Sequence, residues 1–414
     1  MSRTSTTALL TAFLLAGSAF GQASTRPQAV ALGSPIPMEV GPIQGAMRTQ
    51  PLGSIDSVGE GIWWGNLDYL LGTIRADRLP PLVTTSPANS SRARAGVLGQ
   101  SGTSVLFGDR AANNWDRSGL RGNGGYWFDT DRQFGVEGGF LSFFGSRDNF
   151  AASSDGTTIL ARPFTNATTG NQASALIGFP GLSSGSIGVK NGDRWFYTGT
   201  IDLRSNIYDK SWMRVDALLG YRYLQFGDRV DIQQTLQPST GPTQAGTTIQ
   251  TSDRFRARNA FNGVDVGLRA DFVYENFSLE LLTKMTGGYL ARDVDITGSQ
   301  TVSAPGLAPV TKAGGLLALS SNIGSRSDPI LTIVPEVGAT LGYQVNSNLR
   351  LRVGYTTLVV PNVSRAVNQI DLGINPGLIP PGTAAAGSVA RPVALNNNSD
   401  LWLQTLSIGL EVSY

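Results

Sequence analysis

The chain has no cysteine and no histidine. The first absence excludes disulfides and a lipidated cysteine, so after export stability must come from backbone pairing and burial. The second removes Ser-His-Asp and Cys-His nucleophiles, imidazole general bases and ordinary zinc sites. Charge is scarce too: Asp, Glu, Lys and Arg make up 15% of the 414 residues, and 32 basic against 30 acidic side chains leave a net charge of +2. That is no basic field for neutralising phosphates, and nucleic acid is not an expected partner. Two carboxylate pairs, Asp129 with Asp131 and Asp293 with Asp295, fit no EF-hand loop and read as solvated residues of turns or strand ends. Gly122, Gly124 and Gly125 lack the Lys-Ser/Thr of a phosphate loop and read as strand glycines that permit close approach. No metal, cofactor or catalytic residue is expected.

Long apolar runs are missing as well. Arg3, an apolar stretch from Ala8 to Leu15, and the small residues around Ala19-Phe20-Gly21 make the three parts of a secretory signal. The stretch is far below the ~20 residues of a spanning helix. Residues 1–21 are therefore expected to be a signal peptide, with cleavage after Gly21 or Ala23, and the Pro- and Gly-rich residues 22–60 a periplasmic lead-in.

What fills residues 61–414 is alternation. Segments 62–71, 119–129, 133–145, 194–207, 211–226, 260–272, 276–290, 330–343, 348–360 and 401–414 alternate apolar and polar residues with period two. Each is long enough for the ~9–11 residues of a tilted membrane strand. In 263–272, Val264, Val266, Leu268, Ala270 and Phe272 oppose Asp265, Arg269 and Asp271. Every segment has one face free of charge, which can meet lipid; an Arg or Lys at mid-membrane would cost ~2–4 kcal/mol there.

Soluble sandwiches also alternate, so the connections carry the decision. They run long and short in turn, with short ones at Thr130–Arg132, Tyr208–Lys210, Val273–Glu275 and Gln344–Ser347. Outer-membrane barrels have this asymmetry. Aromatic residues such as Phe128, Phe134, Tyr208, Trp212, Tyr274, Phe277 and Tyr343 mark the short-turn side. Tyr69, Phe140, Trp195, Tyr223, Tyr289, Tyr355 and Trp402 suit the opposite girdle. The final strand ends in phase on Tyr414, a pattern that outer-membrane barrel assembly machinery recognises. The expected fold is all-β: a closed antiparallel transmembrane β-barrel of about ten strands, within a range of about eight to twelve, with short periplasmic turns and long extracellular loops.

The stretches RLPPLVTTSP (78–87), RAGVLGQSGTSVLFGD (94–109) and SGLRGNGGYWFD (118–129), with WWGNLDYLL (63–71) and GYRYLQF (220–226), resemble the β-barrel porin family of bacterial outer membranes typical of Planctomycetes. The resemblance implies an outer-membrane barrel and supplies no catalytic residues.

Inside such a barrel the alternation places Arg194, Asp202, Arg204, Arg214, Asp216, Arg222, Asp265, Arg269, Asp271, Glu280, Lys284, Glu336, Arg350 and Arg352, with Glu137. These charges either fill the interior as ion pairs, which burial demands, or line a water-filled path. About eight strands are just filled by side chains and about sixteen leave a wide channel, so ten lies near the filled end. Two functions follow: a porin with a narrow or loop-gated path for small polar solutes, or a structural or surface-interaction protein whose barrel anchors its loops. The first long loop bears on the choice. Val97, Leu98, Val105, Leu106 and Phe107 give it reason to fold into the mouth, where Arg92 and Arg94 would add positive charge to a constriction. Outer-membrane lipid, lipopolysaccharide and the assembly machinery are the expected partners, and the bacterial outer membrane the expected location.

Overall fold

The computed structural model describes residues 63–75, 77–111, 117–240, 244–382 and 387–413, apart from the side chains of Asp193 and Arg194. The signal segment, the lead-in and Tyr414 lie outside the described residues.

Ten long strands dominate: β1 (Trp63–Ile74), β2 (Arg117–Trp127), β3 (Phe134–Phe143), β4 (Ser183–Lys210), β5 (Met213–Pro238), β6 (Thr248–Tyr274), β7 (Phe277–Ser303), β8 (Gly324–Gln344), β9 (Leu349–Ser364) and β10 (Asn398–Ser413). Each pairs antiparallel with the next in sequence. β10 returns to β1 in register from Trp64↔Ser413 to Ile74↔Leu403, so the ladder is a ring of ten strands. No described helix is long and apolar enough to cross a membrane, which has no bearing on crossing by strands.

The turns at one end are short and chemically specified. Asp129 accepts hydrogen bonds from the backbone N–H of Gln133 (2.6 Å) and Phe134 (2.9 Å), and Arg132 takes a positive φ of 53°. Asn346 accepts from the N–H groups of Asn348 (3.0 Å) and Leu349 (2.9 Å), turning β8 into β9. Such side chains stand in for a backbone turn partner.

Alternation sorts the two faces as expected. Ile201 (57% exposed), Leu331 (71%) and Ile408 (62%) point away from the ring. Asp202, Asp216 and Asp265 point inward and are wholly buried. An outer face this apolar, in a chain with a polar interior, is built to meet hydrocarbon.

The strands are longer than the alternation suggested, and by unequal amounts. β4 to β7 run 26–28 residues, whereas β1, β2 and β3 have 10–12. Much of 227–259 and 291–329, read from the sequence as loops, is therefore wall. The connections pack inside this taller half. Short strands at 83–85, 104–107, 160–166, 172–178 and 373–374 form a second sheet there. Phe107, Phe164, Ile177, Leu316–Leu319 and Ile374 fill the space against Val189, Ile232, Phe255 and Ile296 of the wall. Fully burying one such side chain is worth ~1.5–3 kcal/mol.

β9 leaves the ring wall early. Its pairing with β8 stops at Glu336↔Leu358, while its pairing with β10 continues to Ser364↔Asn398. Beyond that point it bends inward: Asn259 of β6 exchanges two hydrogen bonds with the Ser364 backbone (2.8 Å each). Asp228 of β5 then accepts from Arg365 Nε (3.1 Å) and the Ala366 N–H (2.9 Å). The edge of β8 exposed by this departure carries Pro329 and Pro335, at the sheet position where a missing N–H is tolerated.

Candidate functional site: the filled interior of the ring

Nearest the short turns, the interior is aromatic and cationic. Trp64 and Trp127 lie under guanidinium groups, with Arg204 4.8 Å and Arg214 4.7 Å from the Trp127 ring centroid. Arg269 is 5.9 Å from that of Trp64. Glycine makes room for this: a Cβ on Gly125 would strike the Trp64 indole, and one on Gly122 the Phe140 ring on the other face. The glycines of β2 thus act as close-approach sites, as their sequence context indicated.

Above the tryptophans comes a web of ion pairs. Arg204 reaches Asp216 (2.6 Å), Asp271 (3.4 Å) and Glu137 (3.5 Å). Ion pairs also cross the bore between strands three apart in the ring. Arg269 of β6 donates twice to Glu137 of β3 (2.6 and 2.9 Å), Lys284 of β7 pairs with Asp202 of β4, and Arg222 of β5 pairs with Glu336 of β8. Asp265 accepts from Arg222 (3.2 Å) and Thr286 Oγ1. Arg350 and Arg352 both pair with Glu411, and Arg352 lies 3.6 Å from Glu280. Arg214 holds Asp216 (3.0 Å) and Asp209 (3.3 Å).

Every lumen candidate whose side chain is described thus faces inward, and most join this web; the Arg194 side chain lies outside the described residues. The sequence reading missed Asp68 and Arg121, a 2.8 Å pair that also binds Thr356 (3.1 Å) and Ser407 (3.0 Å), and it missed Glu411. Alternation within 62–71, 119–129 and 401–414 already put all three on the inward phase.

A second layer is apolar. Leu70, Phe143, Phe196, Phe226, Phe261, Leu290, Val334, Leu358, Val360 and Leu401 are buried together inside the ring. The cavities between these layers are small: about 80 Å³ bordered by Arg121, Glu336 and Leu358, and about 110 Å³ bordered by Trp127, Asp271 and Glu411. Each has room for a few waters.

The highest layer contains a buried pin. Arg162 donates to Asp253 (2.7 Å), both fully buried, and the other oxygen of Asp253 accepts from the N–H groups of Leu316 (2.9 Å), Leu317 (2.9 Å) and Ala318 (2.8 Å). Gly315 is required beside it, since a Cβ there would strike the carboxylate. Of the first-loop residues, Val97 and Phe107 are buried, Leu106 is 42% exposed, and Arg92 and Arg94 are exposed.

The family model described as "Putative beta barrel porin-7 (BBP7)" matches residues 64–414. The chain belongs to that family. Membership agrees with the ring of strands and makes the molecule an outer-membrane barrel protein. No curated protein matches it. Among solved structures, the outer-membrane protease OmpT of Escherichia coli aligns with 85% of this chain and 96% of its own, at 8% identity and a TM-score of 0.39. A Pseudomonas aeruginosa FadL homologue (85% and 90% covered, 7% identity, TM-score 0.22) and the Pseudomonas putida toluene transporter TodX (88% and 93%, 7%, 0.21) also align. At these scores the likeness bears on neither mechanism nor substrate.

Proposed function

We propose that this protein is a closed transmembrane barrel of the bacterial outer membrane, with periplasmic short turns, whose filled bore anchors and supports a folded extracellular head. The observation that carries the reading is the stack of cross-bore ion pairs under a continuous apolar layer, Arg269–Glu137 below and Phe196, Phe226 and Phe261 above. A hydrated solute would have to break both. The absence of histidine and cysteine fits a barrel without enzymatic activity.

A second reading, a gated path for small polar solutes, draws on the family's porin description and on the two polar cavities. Planar bilayers separate the two. The anchor reading expects no steady conductance from the native protein. It also expects none after removal of residues 92–107, because the ion pairs and the apolar layer remain. Sustained ohmic conductance in the native protein would overturn it, and a large rise on deletion would establish the loop as a gate. Partition of the native protein with soluble periplasmic contents would overturn the membrane assignment itself.

A further inference from the structure

Above the apolar band, the outward face of β4 to β7 becomes charged. Gln225 ties together the residues at this boundary. With its amide oxygen accepting from Trp195 Nε1 (3.2 Å) and Arg258 Nε (3.0 Å), its nitrogen donates to the hydroxyls of Tyr197 and Tyr223 (2.6 Å each). Two phenols and an indole at one level mark an interface between hydrocarbon and headgroups. Arg258 is fixed directly above them.

We propose that this outer wall binds the phosphorylated headgroup of an outer-leaflet glycolipid through Arg256 and Arg258. The proposal rests on the transmembrane reading above. A concavity of about 440 Å³ opens there, bordered by Trp195, Arg256, Arg258, Asp293 and Asp295. A neighbouring one of about 320 Å³ shares Trp195 and adds Arg147, Lys190 and Arg229.

The cations differ in how far they are committed. Arg229 and Arg254 both pair with Asp231, at 2.9 and 2.7 Å. Among the described residues Arg256 forms no ion pair, although its register neighbours are Arg229 and Asp295, and its Nε is buried without a hydrogen-bond partner. Arg258 has the neutral Gln225 as its partner. Asp295 accepts from Ser325 Oγ at 2.9 Å. Asp293 and Asp295 weaken the local field but do not cancel it, because with Asp231 they face Arg147, Lys190, Arg229, Arg254, Arg256 and Arg258.

Guanidinium groups pair with phosphate through two parallel hydrogen bonds, and clustered cations at a membrane surface draw in anionic headgroups. Inorganic phosphate offers the same anion. A glycolipid adds acyl chains that lie along the apolar wall beneath, on Tyr221 and Val264, and this commits the site to the lipid.

The test uses the full chain in phosphatidylcholine nanodiscs, titrated with bisphosphorylated lipid A, its dephosphorylated form, or inorganic phosphate. Wild type should prefer the bisphosphorylated lipid, and R256Q/R258Q should weaken that binding about tenfold. R78Q, which removes an exposed pair with Asp109 on the head, should leave it unchanged. Equal binding by wild type and the double variant overturns the site, and so does inorganic phosphate displacing the lipid stoichiometrically. Heat-modifiable mobility and protease-protected insertion of each variant report separately on the membrane reading. Failure of wild type to insert defeats that reading, whereas insertion without a phosphate-dependent difference defeats this site alone.

Discussion

Glu137 and Asp253 are both carboxylates buried inside the ring, and both receive a buried arginine, yet they sit in opposite surroundings. Glu137 belongs to a web in which its partner Arg269 also lies 3.9 Å from Glu280, and its neighbour Arg204 also holds Asp216 and Asp271. Asp253 stands in an apolar cluster. It is the ion-pair partner of Arg162 among the described residues, and it caps three loop N–H groups as well. Glu137 shares its arginines with other carboxylates, whereas Asp253 answers a single arginine. The same chemical deletion should therefore be tolerated in one half and not in the other.

Asp253→Ala is the strongest way to break this comparison. It leaves Arg162 buried without a counter-charge, at a cost of about 3–5 kcal/mol. Residues 314–319 should become protease-sensitive in limited digestion while the ring keeps its heat-modifiable mobility. In the double variant Arg162→Met with Asp253→Leu, the ionic part of the loss should disappear and the three unmade N–H bonds should remain. Glu137→Ala should cost less, about 1–3 kcal/mol in detergent unfolding, because Arg269 and Arg204 keep other carboxylates within reach. An equal loss in both single variants would erase the distinction. Asn259→Ala, which removes both bonds to the Ser364 backbone, should cost about 1–2 kcal/mol. Its effect should be confined to the inward-bending end of β9, read as faster hydrogen exchange there.

The two halves also differ in how far the sequence announced them. The membrane strands were legible because apolar side chains point out and polar ones in: Val264 is exposed and Asp265 buried. Higher on the same strand the period of two continues with its sign reversed. Phe255 and Ala257 are buried inside, and Arg254, Arg256 and Arg258 lie on the outer face. No lipid-facing stripe exists there, so the pattern of 227–259 reads as loop in the sequence. The lumen charges were legible individually, but their partners were not. Arg162 and Asp253 lie 91 residues apart on segments that read as loops in the sequence, and register alone does not bring them together. Trp64 shares the inward phase of Asp68 and Leu70, and its indole fits there because Gly125 opposite has no side chain; the sequence marks Gly125 but not its partner. The first loop is expected at the mouth because of its apolar residues, of which Val97 and Phe107 are buried; Arg92 and Arg94, named for the charge they would add there, are exposed.

The smallest expected effect lies outside both halves, at the turn between β2 and β3. Asp129 is half-exposed, and hydrogen bonds from the Gln133 and then the Phe134 N–H hold its carboxyl below the usual aspartate range. A lowered folded-state pKa means the unfolded chain takes up the proton first. The turn's contribution is therefore complete above the ordinary aspartate value of 3.8 and fades as the pH falls through the lower folded value. Amide exchange at Gln133 and Phe134, corrected for its intrinsic pH dependence, should lose protection on acidification in wild type. In Asp129→Asn it should be weaker at neutral pH and flat across the same range. Because the carboxylate hydrogen-bonds within its own turn and reaches the ion-pair web only through the field of Arg214, head protease resistance and global unfolding should not change in this variant. A matching acid-dependent loss in the head would mean that the turn and the two halves unfold as one unit, which the separation of their interiors argues against.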